Sequence, residues 1–204
     1  MKAACHLILF LKAPRRGQVK TRLGRELGAG EATRLYRTIT ALLVRRLGRD
    51  RRWRLWLAVT PDGCRDTGFW PRALPRLAQG GGDLGQRMKR CFDALPPGPA
   101  VLIGADIPDV GPEPIAAAFR LLRGRAAVFG PAADGGYWLV GLARRRSERD
   151  LFARVRWSSP QALSDTLATI RGGQVGFVAA LRDIDDAADY ASWRRRQAEA
   201  GRAG

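Results

Sequence analysis

At 204 residues the chain is long enough to bury one substantial core. A formal charge of +17 would ordinarily indicate nucleic acid or an anionic membrane surface, yet only Lys2, Lys12, Lys20 and Lys89 are lysines among 36 basic residues, so the charge reads largely as an arginine background. Three scattered cysteines without a CxxC (Cys5, Cys64, Cys91) and a single histidine, His6, exclude a disulfide framework, a thiolate metal site, a histidine triad and a His-rich zinc site.

The first apolar run, 5–11, reads as a buried strand. It ends in Lys-Ala-Pro-Arg-Arg-Gly without a small-residue cleavage site, so a strand accounts for it better than a signal peptide. His6 lies inside this strand, a placement that favours a core or edge residue over a ligand. A basic loop follows, from Phe10 to Leu23, carrying Lys12, Arg15, Arg16, Lys20 and Arg22 around Gly17, with a helix expected after Thr21. Apolar residues at helical spacing predict a second helix over 30–47, and 53–59 reads as the next strand, giving a βαβ unit.

Residues 64–82 are rich in Trp, Pro and Gly and predict a short helical turn, an irregular segment and a short strand around Leu77. Asp83 is placed to cap a helix running to Leu95. The run 100–105 is almost wholly apolar, as expected of a central strand buried on both faces. A helix over 112–122, strands at 126–130 and 137–142, a short helix between Arg144 and Trp157 and a helix opened by Pro160 at its first position complete the middle of the chain. A last strand is expected at 175–179, then a helix capped within 183–186. No stretch approaches the ~20 apolar residues of a bilayer span, and a cytoplasmic protein is expected. The expected architecture is a three-layer α/β/α domain over 1–204 with a mixed, mostly parallel sheet, its segment 194–204 fraying as a C-terminal tail.

Three segments carry chemistry. A basic glycine-containing loop at the carboxyl end of a strand suits a di- or triphosphate, since open α/β sheets bind ligands there; the competing reading is a solvated turn. Asp106 follows the buried strand directly and is placed to share a divalent ion with phosphate oxygens and water. It could instead cap the next helix, although Pro112 opens that helix several residues later. Asp134-Gly135-Gly136 reads equally as a ligand-facing turn and as a tight hairpin.

In order, the basic loop, a flexible glycine segment, a strand-end Asp and an Asp-Gly-Gly turn follow the pattern of nucleotide-diphospho-sugar transferases. With Lys12-Ala13-Pro14, Gly17-Gln18-Val19-Lys20-Thr21-Arg22-Leu23, Gly81-Gly82-Asp83-Leu84-Gly85-Gln86-Arg87-Met88, Gly104-Ala105-Asp106-Ile107-Pro108, Asp134-Gly135-Gly136-Tyr137-Trp138-Leu139-Val140-Gly141, Trp157-Ser158-Ser159-Pro160 and Arg182-Asp183-Ile184-Asp185, the chain resembles a bacterial family of GT-A-type glycosyltransferases. That family is associated with radical-SAM genes, including those for arsenosugar biosynthesis, and is related to nucleotidyltransferases of the molybdopterin-guanine-dinucleotide-synthesis type.

The resemblance implies catalytic roles for Lys20, Asp106 and Asp134. It implies nucleotide and phosphate contacts from Lys12, Arg15, Gly17, Lys20, Thr21, Arg22, Gly82, Asp83 and Arg87, an acceptor side at Asp134, Gly135, Gly136 and Tyr137, and Mg²⁺ or Mn²⁺ at Asp106. The chain departs from the pattern in having Gln86 where Glu is expected, and Asp-Ile-Pro-Asp in place of Asp-x-Asp at Asp106. The expected activity is glycosyl transfer from a nucleotide-diphosphate sugar to a small acceptor. The alternative is nucleotidyl transfer from a nucleoside triphosphate with release of pyrophosphate. Nucleic-acid binding through the +17 charge is a third reading, disfavoured because no helix-turn-helix, zinc finger or RNA-recognition motif is present.

Overall fold

The computed structural model describes residues 4–144, 152–170, 174–181, 184 and 186–202. Strand β1 (His6–Lys12) sets the layering, because its alternate side chains divide between two cores. Leu7, Leu9 and Leu11 point to one face of the sheet and Ile8 to the other, all at most 1% exposed. On the first face lie α1 (Thr21–Leu27), α2 (Ala29–Gly48) and α4 (Pro112–Leu121), contributing Leu23, Leu35, Ile39, Leu43, Ile115 and Phe119. On the second lies α3 (Leu84–Asp93), which buries Met88, Cys91 and Phe92, with α5 (Ala162–Ala168) beside it through Leu163 and Leu167.

Between the helical layers runs a seven-stranded sheet in the order β3-β2-β1-β4-β6-β5-β7. The remaining strands are β2 (Arg54–Thr60), β3 (Arg76–Ala78), β4 (Ala100–Gly104), β5 (Ala127–Pro131), β6 (Tyr137–Leu142) and β7 (Val175–Phe177). Among these strands only β6 runs against its neighbours, so the sheet is mixed and mostly parallel, as expected from the sequence. The all-apolar strand β4 is central and its first four residues are buried, whereas β7 is shorter than its apolar run and stops at Phe177. The strand expected around Leu77 is β3, at the sheet edge.

One helix start differs from expectation. Pro160 is not the first residue of α5, whose N-cap is Gln161. Residues 156–162 fold first into a turn, in which the Ser159 hydroxyl donates to the Arg156 carbonyl and the Ala162 N–H donates to the Ser159 carbonyl. The last helix, α6 (Ala187–Arg202), is capped by Asp186, whose carboxylate accepts from the Asp189 N–H. The short helix expected between Arg144 and Trp157, and the motif residues Arg182, Asp183 and Asp185, lie wholly or partly outside the described residues. Among the described residues no helix is long and apolar enough to cross a membrane.

His6 is a core residue at the opposite end of β1 from the basic loop. Its Nδ1 accepts from the Trp56 indole N–H at 3.2 Å and its Nε2 faces the Pro97 carbonyl at 3.4 Å, an arrangement satisfied by the neutral ring protonated on Nε2. Burial lowers its pKa below the ordinary 6.5; the Pro97 carbonyl opposes that shift, and the charges of Arg144 and Arg54 add to it. The folded state therefore binds fewer protons than the unfolded chain as pH falls below 6.5, and the His6 contribution to stability, complete above 6.5, is lost on acidification. The urea midpoint should fall between about pH 7 and pH 5, with a shallower slope in His6→Leu than in the wild type.

Candidate functional site

Five connections gather at the carboxyl ends of the parallel strands: 13–20 after β1, 61–75 after β2, 79–83 after β3, 105–111 after β4, and 132–136 between β5 and β6. The sheet order turns at β1, which has β2 on one side and β4 on the other. Such a reversal opens a crevice between the neighbouring loops.

The basic loop is anchored at both ends and exposed in between. Ala13 and Val19 are buried, and the Ala13 N–H donates to the Thr60 carbonyl at 2.7 Å. Lys12, Arg15, Gly17, Thr21 and Arg22 are solvent-exposed around the loop. Lys20, its last residue, adopts a left-handed conformation (φ 48°) as the N-cap of α1 and turns its side chain inward. That side chain is 4% exposed, and its ammonium lies 3.3 Å from Asp106 Oδ1. Asp106 is half exposed and does not cap α4, whose N-cap is Gly111. Tyr36 closes the floor: its hydroxyl accepts the Lys12 N–H at 2.9 Å, and burial together with the charge of Asp106 raises its pKa.

The segment 79–83, which its glycines mark as flexible, is tied down on three sides. Gln79 is fully buried and its amide donates to the carbonyls of Leu11 (2.9 Å) and Ala58 (2.7 Å), joining the ends of β1 and β2. Asp62 Oδ1 accepts the N–H groups of Gln79 and Gly80, while Arg90 donates to the carbonyls of Gln79 and Gly81. Arg87 donates to the Gln79 side-chain oxygen and lies over the Phe10 ring, 5.4 Å from its centroid.

Asp83 caps α3 as expected, in a reciprocal capping box with Gln86. Gln86, the departure from the resembled pattern, thus has a structural partner. Gly82 sits at φ 94°, and a Cβ there would collide with Gln86 Oε1. Gln79 was not apparent in the sequence; the one available signal is a polar residue closing a short strand just before a glycine run.

The turn between β5 and β6 is a tight hairpin, and its Asp134 and Gly136 border a cavity. Asp134 Oδ1 accepts the Gly136 N–H at 2.9 Å, and the Ala132 N–H donates to the Gly136 carbonyl at 3.0 Å. Gly135 lies at φ 83° under the chain leading into α5: its carbonyl accepts the Leu163 N–H, and a Cβ would come within 2.2 Å of the Pro160 carbonyl oxygen. Tyr137 is packed edge-on against Phe129 and Trp157, its hydroxyl 3.4 Å from Thr166 Oγ1, and burial raises its pKa, so it stays protonated at neutral pH.

Asp106 and Asp134 border one cavity of about 290 Å³, while Lys20 reaches it by pairing with Asp106. Lys12, Arg15, Gly17, Thr21, Arg22, Gly82, Asp83, Arg87 and Gly135 are not among its lining residues. The expected site residues therefore divide between the exposed loops and the cavity.

A sheet of this order, with a cation-bearing loop and strand-end carboxylate at its switch point, defines an α/β fold of the nucleotide-sugar transferase type. The chain belongs to the family DUF2064, described as an uncharacterized protein conserved in bacteria, whose model matches residues 43–159. It is similar to a protein of Desulfovibrio desulfuricans G20 provisionally named a nucleotide-diphospho-sugar transferase, at 29% identity and a TM-score of 0.78 over 89% of this chain and 82% of that one. A CMP:2-keto-3-deoxy-manno-octonic acid synthetase complexed with CTP shares the fold at 10% identity and a TM-score of 0.62, covering 97% of this chain and 99% of that one. Rv0371c of Mycobacterium tuberculosis H37Rv, complexed with manganese, shares it at 17% identity and a TM-score of 0.56, over 93% and 97%. No curated protein sequence matches the chain.

Two of the glycines at positive φ, Gly135 and Gly17, make a paired test of the geometry. Gly135→Ala meets the Pro160 backbone and should cost more than the roughly 1–2 kcal/mol of the left-handed conformation alone. Gly17→Ala, at φ 75° with nothing within 4 Å, should cost no more than that amount. Urea unfolding of both variants measures the difference.

Proposed function

We propose that the protein transfers a glycosyl group from a nucleotide-diphosphate sugar to a small acceptor in the crevice between the β1 and β4 loops. The observation that carries this reading is the pairing of the buried Lys20 ammonium with Asp106 across the switch point of the sheet. It holds a positive charge stationary beside the place where a diphosphate would depart, and a charge fixed in advance stabilises a leaving group without reorganisation. Lys12, Arg15 and Arg22 surround the same loop and suit the remaining phosphate oxygens, with Gly17 and Thr21 offering backbone and hydroxyl donors. Gly82, Asp83 and Arg87, on the anchored segment and the first turn of α3, serve the base and ribose.

In the transfer, the acceptor hydroxyl oxygen forms a bond to the anomeric carbon. The bond from that carbon to the diphosphate breaks, its electron pair leaving with the nucleoside diphosphate. The hydroxyl proton passes to the carboxylate of Asp134. Gly135, Gly136 and Tyr137 shape the acceptor side. A divalent ion, Mg²⁺ or Mn²⁺, would be held by Asp106, where it would neutralise charge on the diphosphate. Among the described residues no group of three or more His, Cys, Asp or Glu could hold a metal, so its other ligands would be substrate oxygens and water, as Mg²⁺ accepts.

Nucleotidyl transfer is the second reading, favoured by the likeness to a synthetase solved with CTP. There the acceptor would attack the α-phosphate of a nucleoside triphosphate and pyrophosphate would leave. Incubation with nucleotide sugars and with triphosphates, with and without Mg²⁺ or Mn²⁺, separates the two: nucleoside diphosphate is the product expected, and pyrophosphate would establish the second.

Lys20→Ala and Arg22→Ala should each weaken nucleotide binding by about 1.5–3 kcal/mol, roughly 10- to 150-fold by calorimetry. Asp106→Asn keeps the shape and removes the charge. It should abolish metal-stimulated turnover and, because it removes the Asp106 counter-charge from the buried Lys20 ammonium, also lower the unfolding midpoint; full metal-stimulated activity in the folded variant would assign the carboxylate a structural role.

A further inference from the structure

The cavity beside Asp106 and Asp134 has a chemistry of its own, and its assignment to an acceptor rests on the glycosyl-transfer reading. We infer that the acceptor is an uncharged or cationic amphiphile with a flat apolar body of about two rings and a hydroxyl at one end, and that neither a polyol nor an anion is taken. The walls are Phe10 of β1, Leu102 of β4, Val140 of β6, Met88 of α3 and Trp157, with Leu84 at the rim, 37% exposed. Strand register gives the depth. Leu102 pairs with Val140 two residues inside Gly104, so the apolar walls run into the sheet below the loops that carry the carboxylates.

Polar groups collect at the opposite end, where Asp106, Asp134, Ser158 and Ser159 border the cavity. Among the described residues no Lys, Arg or His lines it, and Lys20 of the β1 loop reaches only its border, where it pairs with Asp106, so the diphosphate of a donor finds no lining counter-charge inside. The space therefore belongs to the second substrate. With Asp106 paired to Lys20 and Asp134 at its mouth, the cavity offers an anion no lining counter-charge among the described residues. A polyol would place several hydroxyls against hydrocarbon walls, where unpaired polar groups oppose binding.

Aromatic geometry and size narrow the body further. Trp157 is held edge-on by both Tyr137 (71°) and Phe152 (61°), which fixes the plane of its ring. Its indole N–H is buried and meets no acceptor among the described residues. The Tyr137 hydroxyl, by contrast, is already beside Thr166. The volume of about 290 Å³ is about twice the roughly 150 Å³ cavity that holds a benzene ring.

The test uses the full chain and three probes followed by ligand-observed NMR: 2-naphthol, 2-naphthoate and methyl α-glucoside. 2-Naphthol should bind at least tenfold more tightly than either of the others. Leu84→Asn, at an exposed rim position, should weaken 2-naphthol at least fivefold, and Ala162→Phe, which fills the cavity from the start of α5, should do the same. Nucleotide binding, measured separately by calorimetry, should be unchanged in Leu84→Asn. Absence of 2-naphthol binding, equal binding of the glucoside or the naphthoate, or unchanged 2-naphthol affinity in both variants would overturn the inference. Loss of the transferase reading would show instead as failure to bind nucleotide or to release nucleoside diphosphate, with probe binding intact.

Discussion

The parallel pairing of β1 with β4 is the constraint on which the crevice depends. Its register sets Phe10 opposite Gly104, so β1 runs two residues past the end of β4, to Lys12. Asp106 then stands two residues beyond β4, while the basic loop makes a longer excursion and returns at Lys20. A lysine turned inward at that point needs a counter-charge, because an ammonium removed from water is costly unless it is paired. Asp106 supplies it at 3.3 Å, and its own half-exposed carboxylate remains in contact with solvent. The left-handed backbone at Lys20 follows from the same demand, since the loop must reverse there to start α1 while sending the side chain back across the strand ends.

Around that pair the carboxyl edge divides into rigid and open parts. Gln79 draws the carbonyls of Leu11 and Ala58 to one amide, and Asp62 and Arg90 hold the glycine segment from opposite sides. The backbone and side-chain polar atoms of Gln79 are all engaged, and satisfied buried polarity adds rigidity. By contrast, residues 14–18 of the basic loop make short-range backbone bonds among the described residues, such as Gln18 N–H to the Arg15 carbonyl. A site that must recognise one part of a ligand and accommodate another gains from this division, with base recognition proposed for the anchored segment and phosphate for the open loop.

Much of the fold was legible because its signals are local. The apolar runs of β1, β4 and β6, the helical spacing of α2 and the Asp83 cap each depend on residues within a few positions of one another. Asp106 stood out for the same reason, as a carboxylate immediately after a buried strand. What escaped depends on distance along the chain. Gln79 meets Leu11 across 68 positions and Ala58 across 21, and no periodicity encodes such a contact. The locking of a glycine segment by Asp62 and Arg90 is hidden for the same reason, so composition alone made that segment look flexible. At Pro160 a local rule misled: proline suits a first helical position, but here the turn through Ser159 takes it before the helix begins.

The charge of the chain and the charge of the site argue in different directions. With a formal charge of +17, an anionic ligand is attracted over the whole surface, and attraction of that kind selects nothing by itself. Selection has to come from places where charge is fixed by packing or opposed by a carboxylate. The inward Lys20 with Asp106 is one such place; beyond it the cavity mouth keeps Asp134 and, among the described residues, no lining cation. A substrate pair in which one member is a diphosphate and the other is uncharged or cationic and largely apolar satisfies both at once. On the proposed reading, a divalent ion at Asp106 would face the ammonium of Lys20 within a few ångströms. Only the negative charge of the diphosphate would make the neighbourhood of two cations favourable, which ties metal occupancy to nucleotide binding through charge balance.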